Sequence, residues 1–325
     1  MEILAIVIPG IILALLLSTW AHFADDRRSL AISIYVIFGL GALGLIGLGG
    51  LIALLADQLN AQLEEDVFGV RSGLFMVAAG LAVGLALIPQ FRQLLARVTP
   101  IKPTSMPDMV GLVFILVIPV VMIFTIDATF SDANGETEFG TVDNFALVAQ
   151  TVLLVAIAFF AVGGAINRDF SSVRDRLGLH MPTMRQVVIS VALVVPLLII
   201  SAIGAVLTDL FQPGFTDEID DIVGEVTADL INVQGAILIG LSAGIGEEVL
   251  FRGAMQPTFG IVITSLVFML IHVQYGFSFI LLSLFATSVV FGIQRIKMNT
   301  TCCIITHATY NFVVVMLSVV AATQV

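Results

Sequence analysis

The chain has 325 residues, 59% of them hydrophobic and 11% charged, with a formal net charge of −11 and a mean hydropathy of +1.11. A soluble domain carries about 25% charged residues, so this composition excludes a water-soluble globule, and it equally excludes a disordered or collagen-like chain. The acidic balance, with no basic stripe, excludes a nucleic-acid binder. An all-α, polytopic transmembrane bundle remains, because apolar runs near 20 residues recur and helices satisfy their own backbone in lipid.

Ten apolar runs are expected, at roughly 2–22, 30–56, 73–90, 108–127, 144–166, 186–208, 234–256, 259–275, 277–294 and 302–322, each near the length that spans a hydrocarbon core. The first begins Met-Glu, without a basic n-region or a small-residue cleavage site, and reads as a true span rather than a signal peptide. Pro119 and Pro196 fall inside runs and predict kinks. Arg27, Arg28, Arg92, Arg97, Lys102, Arg168, Arg174, Arg176, Arg185, Arg295 and Lys297 all lie on one side of a ten-helix arrangement. The opposite loops are acidic, at Asp57 to Asp66, Asp127 to Asp143 and Asp209 to Asp229. The positive-inside rule then places both termini outside and the basic loops in the cytoplasm.

In the last of these acidic loops, Pro213 and Gly214 make a turn. After it Ile219, Ile222, Val223, Val226 and Leu230 recur at helical spacing among acidic residues, which predicts an amphipathic surface helix. Its plain reading is a solvated connector, and the sharper one a lid or docking element. Cys302 and Cys303, the two cysteines, read as packing residues in a reducing setting, with acylation as the alternative. No internal repeat pairs the two halves, which speaks against a transporter with inverted halves.

Ionisable residues at membrane depth mark function, and they concentrate late in the chain. Run seven carries Glu247, Glu248 and Arg252, run eight Phe268 and His272, and run ten His307 and Asn311. His22 and His180 sit at a span end and in a basic loop, and read as interfacial or solvated. Glu248 and Arg252 are spaced i, i+4 with the acid first, the favourable order for an ion pair. Glu247 lies about 100° round the helix and can face a different neighbour. With the turn near Pro257, Glu247 and His272 fall roughly 15 Å and 22 Å from it along their helices, and His307 about 15 Å past Lys297. The leanings of the Cβ atoms narrow the gap. All these groups then meet at one level inside a core about 30 Å thick. Gly240 and Gly244 form a Gly-x-x-x-Gly that reads as close helix packing.

A desolvated carboxylate beside imidazoles can act as a general base on water. A second His with an Asn offers donors for an oxyanion. No Ser or Cys beside a base suggests a covalent nucleophile. The same residues, Glu247, His272 and His307, also make a possible zinc site, although no His-Glu-x-x-His is present. The spacing alone leaves three readings open: a hydrolase, a proton-coupled transporter, and a non-catalytic immunity or scaffold protein.

Glu-Glu-x-x-x-Arg at 247–252, Phe-x-x-x-His at 268–272 and His-x-x-x-Asn at 307–311 resemble, in order and spacing, the three motifs of the CPBP intramembrane proteases, the CAAX-processing and bacteriocin-processing enzymes also called the Abi family. The resemblance covers roughly residues 185–322. It implies a protease core over 185–325, preceded by helices of unassigned role over 1–184. It also implies that Glu247 activates water with help from His272, that Glu248 and Arg252 hold the motif helix, and that His307 and Asn311 stabilise the oxyanion. Phe268 would pack beside the site. A divalent metal such as zinc is an open possibility for this family. The partners expected are a membrane-associated peptide or protein and the lipid bilayer. Eleven Arg against two Lys point to a prokaryotic plasma membrane, where a prenylated substrate is not expected.

Overall fold

The computed structural model describes residues 2–63, 69–131 and 142–322. The regular elements among them are helical, as the composition requires. In chain order they are α1 (Glu2–Asp25), α2 (Arg28–Leu63), α3 (Val70–Leu87), α4 (Pro89–Leu95), α5 (Met106–Ser131), α6 (Asn144–Ala161), α7 (Phe170–Leu177), α8 (Met184–Ala192), α9 (Val194–Phe211), α10 (Phe215–Thr227), α11 (Val233–Glu248), α12 (Gln256–Leu270), α13 (Phe279–Lys297) and α14 (Thr300–Ala322). A π-helical segment, Val249–Met255, joins α11 to α12, and 3-10 turns occupy Ala228–Leu230 and Val273–Tyr275. Of the expected acidic loops, Glu64, Glu65, Asp66 and residues 132–141 lie outside the described residues.

Nine helical runs among the described residues are long and apolar enough to cross a membrane, against the ten expected. The difference lies in the seventh and eighth, which form one run, Val233–Leu270. That run is not straight. Gly260 breaks it with φ 79° and ψ 172°, a backbone region that glycine enters without a Cβ clash. The rings of Phe251 and Phe268 lie 5.2 Å apart, whereas seventeen residues of straight helix would separate them by about 25 Å. The chain therefore reverses at Gly260 and not at Pro257, which lies in the first turn of α12. The expected eighth span is also shorter than predicted. Its ordered part after the break is about 15 Å long, half of a hydrocarbon core. Beyond it the chain continues in a 3-10 turn and extended residues. The Phe277 carbonyl accepts from Gln212, and the Ile280 N–H donates to Thr208, near the C-terminal end of α9.

The chain divides into two compact units, one of Met1–Thr19 with Asn134–Val325 and the other of Trp20–Ala133. In the second, α2 and α3 approach through glycines. A Cβ on Gly73 would come within 2.6 Å of the Gly49 carbonyl oxygen, and one on Gly80 within 2.7 Å of that of Ala42. Arg92, a basic-loop residue by sequence, is 2% exposed. It donates to the Ala86 and Pro103 carbonyls and to the Tyr35 hydroxyl, which ties the 88–103 connection to α2.

In the first unit, α11 and α14 pack closely, as Gly240 and Gly244 predict. A Cβ at Gly240 would lie 2.6 Å from the Ala308 carbonyl oxygen, and one at Gly244 2.9 Å from the Ala308 Cβ. Gly240→Ala is therefore expected to destabilise the protein by about 1–3 kcal/mol through overpacking, read as a lower melting temperature in detergent. Gly47→Ala on α2, whose Cβ would meet nothing within 4 Å, serves as the control and leaves the melting temperature unchanged or raised. Pro196 acts as expected. It cannot donate to the helix and crowds the carbonyl four residues back, and the α8–α9 break falls at Leu193. Helix α5 is continuous through Pro119.

The amphipathic helix read from the acidic loop is α10. Its Ile219 is 1% exposed, and it packs against α9 and the Val273–Tyr275 turn. Burial and the neighbouring Asp217, Asp221 and Asp209 push the Asp220 carboxyl up from its ordinary range. A folded-state value above the unfolded one means that this stabilisation is present in acid and is lost as pH rises through the folded value. Asp220→Asn is thus expected to raise the melting temperature modestly at neutral pH. The gain should vanish below the carboxylate range, and an equal gain at both pH values would contradict the assignment.

Candidate active site

The sequence places two carboxylates and an arginine on one helix, and the fold decides what each faces. Glu247 is 8% exposed, His307 5%, and Glu248 and Arg252 are fully buried, while His272 and Asn311 are half-buried. Glu248 ends α11, and Arg252 sits in the π segment that follows. The Arg252 Nε donates to Glu248 Oε2 at 3.2 Å, so the i, i+4 ion pair forms as its spacing predicts. In a medium from which water is excluded, neither charge would be tolerated alone. The second arm of the guanidinium donates to the Ser288 hydroxyl at 2.8 Å, and its carbon lies over the rings of Phe268 and Phe291 at 5.3 and 5.9 Å.

The other Glu248 oxygen, Oε1, meets His307 Nδ1 at 2.9 Å. As the partner of Arg252, Glu248 is an acceptor, so His307 Nδ1 carries a proton and donates it. The His307 ring stacks on Phe291 with centroids 4.9 Å apart and 24° between planes. His272 Nδ1 lies 2.7 Å from the Phe268 carbonyl oxygen. A carbonyl only accepts, so Nδ1 carries a proton, and in the neutral tautomer with that proton Nε2 is the acceptor. The His272 ring lies parallel to that of Tyr275 at 6.3 Å.

Phe268 is where the motifs meet. Its ring lies 5.2 Å from Phe251, 4.9 Å from His272 and 6.1 Å from His307, and under the Arg252 guanidinium. It packs beside the site, as the sequence suggests, and it also touches all three motif segments. Glu247 differs from its neighbour. Its Oε2 is buried with no hydrogen-bond partner among the described residues. The reversal at Gly260 brings the depths of Glu247 and His272 closer than the expected turn did, to roughly 20 Å and 18 Å along their helices. Asn311 lies one turn beyond His307 on α14.

Residues 230–313 match the family model described as type II CAAX prenyl endopeptidase, Rce1-like. The match agrees with the resemblance drawn from the three motifs, and it contains Glu247, Glu248, Arg252, His272, His307 and Asn311. The curated proteins and the solved structures yielded no match to the chain. With nine membrane-length helical runs among the described residues, the chain is an integral, multi-pass membrane protein.

Within the Rce1-like segment, Ser288, Phe291 and Tyr275 escaped the sequence reading. A signal for the first was present. Ser283, Thr287, Ser288 and Gln294 are buried polar residues on α13, which is otherwise apolar as far as Arg295. Ser283, Thr287 and Phe291 recur every four residues, which marks an inward face. Tyr275 carries no such signal, because it lies in a 3-10 turn without periodicity. Among the described residues no three His, Cys, Asp or Glu side chains gather as a metal-binding group. Of the possible zinc donors Glu247, His272 and His307, both histidines commit Nδ1 elsewhere. Cys302 and Cys303 are fully buried, consistent with packing.

Proposed function

We propose that the protein is an intramembrane endopeptidase that hydrolyses peptide bonds of a membrane-associated protein or peptide, using water activated by Glu247. The observation that carries this reading is the division of labour between adjacent carboxylates. Both oxygens of Glu248 are engaged, by Arg252 and His307, whereas Glu247 is buried and keeps an oxygen with no partner among the described residues. A carboxylate with an oxygen the protein leaves free is placed to take a proton from water, which is what a general base does.

In the proposed reaction Glu247 takes a proton from water as the oxygen attacks the scissile carbonyl. The bare Nε2 of His272 accepts the second water proton in a hydrogen bond and orients the nucleophile. Negative charge then builds on the carbonyl oxygen. A neutral His307, whose single N–H is used on Glu248, cannot stabilise it from Nε2. His307 can donate to it only as an imidazolium, with Nδ1 held by Glu248 and a second N–H on Nε2. The Asn311 amide supplies a second donor. Glu247 returns its proton to the leaving amine as the C–N bond breaks. Protein groups and water suffice for each step.

The family description names prenylated CAAX substrates. For this chain we propose the broader class of membrane-associated peptides, with the basic loops cytoplasmic and both termini outside. We further propose that residues 185–325 form the protease core and that the membrane is a prokaryotic plasma membrane. The test is mass spectrometry of a peptide-library digest by purified protein, with and without chelator. Discrete cut sites are expected, and activity restored by zinc after chelation would replace the water-and-glutamate scheme by a metal one.

A further inference from the structure

The π segment Val249–Met255 lies between the catalytic carboxylates and the reversal at Gly260, and carries Arg252. A π turn is wider than an α turn, is intrinsically disfavoured, and persists where its surroundings hold it. The Gln256 N–H reaches back to Phe251, five residues away, and the carbonyls that follow Phe251 are met by side chains. Arg295 Nε, from the end of α13, donates to the Arg252 carbonyl at 3.3 Å. Arg176, from α7, donates to the Gly253 carbonyl at 2.9 Å and the Ala254 carbonyl at 3.4 Å, and to the Thr258 hydroxyl at 3.2 Å. Three consecutive carbonyls thus accept from two guanidiniums.

The clamp has a built foundation. Gly178 caps α7 at φ 70°, and an added Cβ there would fall on the Arg295 guanidinium. Thr300, at the start of α14, donates from its N–H to the Gly178 carbonyl at 3.0 Å and from its hydroxyl to that of Leu177 at 2.5 Å. A Cβ on Gly253 would lie 3.1 Å from the Leu177 carbonyl oxygen, so α7 sits directly on the π segment. Both arginines are half-buried, although the sequence assigns them to solvated basic loops. Arg176 also lies outside the 230–313 match.

We infer that Arg176 and Arg295 are positioning residues, a cationic clamp that fixes the π register and thereby aims Glu247 and the Glu248–Arg252–His307 triad. Arg252 is held at both ends, its carbonyl by Arg295 and its guanidinium by Glu248 and Ser288. Release of the clamp lets the π turn relax toward α-helix, which rotates Glu247 and Glu248, at the end of α11, against the residues that follow the π segment without touching substrate.

This inference rests on the protease reading for its effect on rate, so the test carries two readouts. Wild type, Arg176→Lys and the double variant Arg176→Gln/Arg295→Gln are compared as full-length protein in lipid discs, with a peptide cut by wild type. The double variant is expected to lose about ten- to a hundredfold in kcat with KM within about twofold, the signature of misaimed catalytic groups. Arg176→Lys, which keeps the charge but not the fork, should fall between the two. Hydrogen exchange at residues 250–258 should speed up by about tenfold or more in the double variant, with distant helices unaffected. Unchanged exchange overturns the clamp, as does a lowered melting temperature with kcat per folded molecule unchanged. Should wild type cleave nothing, the protease reading fails, and exchange alone decides the clamp.

Discussion

Glu247→Gln is expected to remove peptide cleavage while leaving the protein folded. Glutamine matches the volume of glutamate but cannot take a proton from water, and loss of a general base costs about 10²- to 10⁴-fold in rate. The fold should tolerate the change because Glu247 Oε2 has no hydrogen-bond partner to lose. The ion pair and the Glu248–His307 bond lie on the neighbouring residue. A neutral amide also relieves the cost of a buried charge without a counter-ion, so the melting temperature should stay level or rise. The measurement is kcat beside a thermal melt of the same preparation. A well-folded Glu247→Gln protein that cleaves at the wild-type rate would remove Glu247 from the mechanism.

Arg252→Met is expected to act on stability first. It removes the counter-charge of a fully buried carboxylate, the donor to Ser288, and a cation over two aromatic rings. Breaking a buried pair from one side costs about 3–5 kcal/mol, because the remaining charge is uncompensated. The double variant Glu248→Gln/Arg252→Met removes both charges and should recover most of that loss. Activity should not recover with it, since His307 then lacks the carboxylate that holds its ring through Nδ1. Melting temperatures of the two single variants and the double variant, arranged as a cycle, give the coupling. Simple additivity would show that the pair is not the support it is taken to be.

These two outcomes separate what adjacent residues do, and the sequence goes far toward predicting them. Glu248 and Arg252 are four apart on a helix, so their pairing follows from local geometry alone. The close approach of α11 and α14 is written in Gly240 and Gly244. The amphipathic α10 is written in the period of its apolar residues. What remained hidden was non-local or irregular. The reversal at Gly260 depends on one glycine taking a positive φ in an otherwise apolar run, and Pro257 gave the stronger local signal. The π segment has no compositional signature, since its extra residue per turn is held by Arg176 and Arg295 from elements elsewhere in the chain. Those arginines read as loop charges because the positive-inside rule reports the side of the membrane and not the direction of a side chain.

The sequence by itself determined an all-helical membrane protein, the residues of the three motifs, their shared depth, and their likeness to one protease family. Those features depend on composition and on periods along a single helix, which a chain displays before it folds. Only the tertiary structure decided which carboxylate is saturated and which keeps an unpartnered oxygen. It also decided that His307 leans on Glu248, that Phe268 touches all three motifs, and that two guanidiniums close over the π segment. Each of these depends on the approach of helices far apart in sequence, fixed by packing and by the pairing of Glu248 with Arg252 and His307.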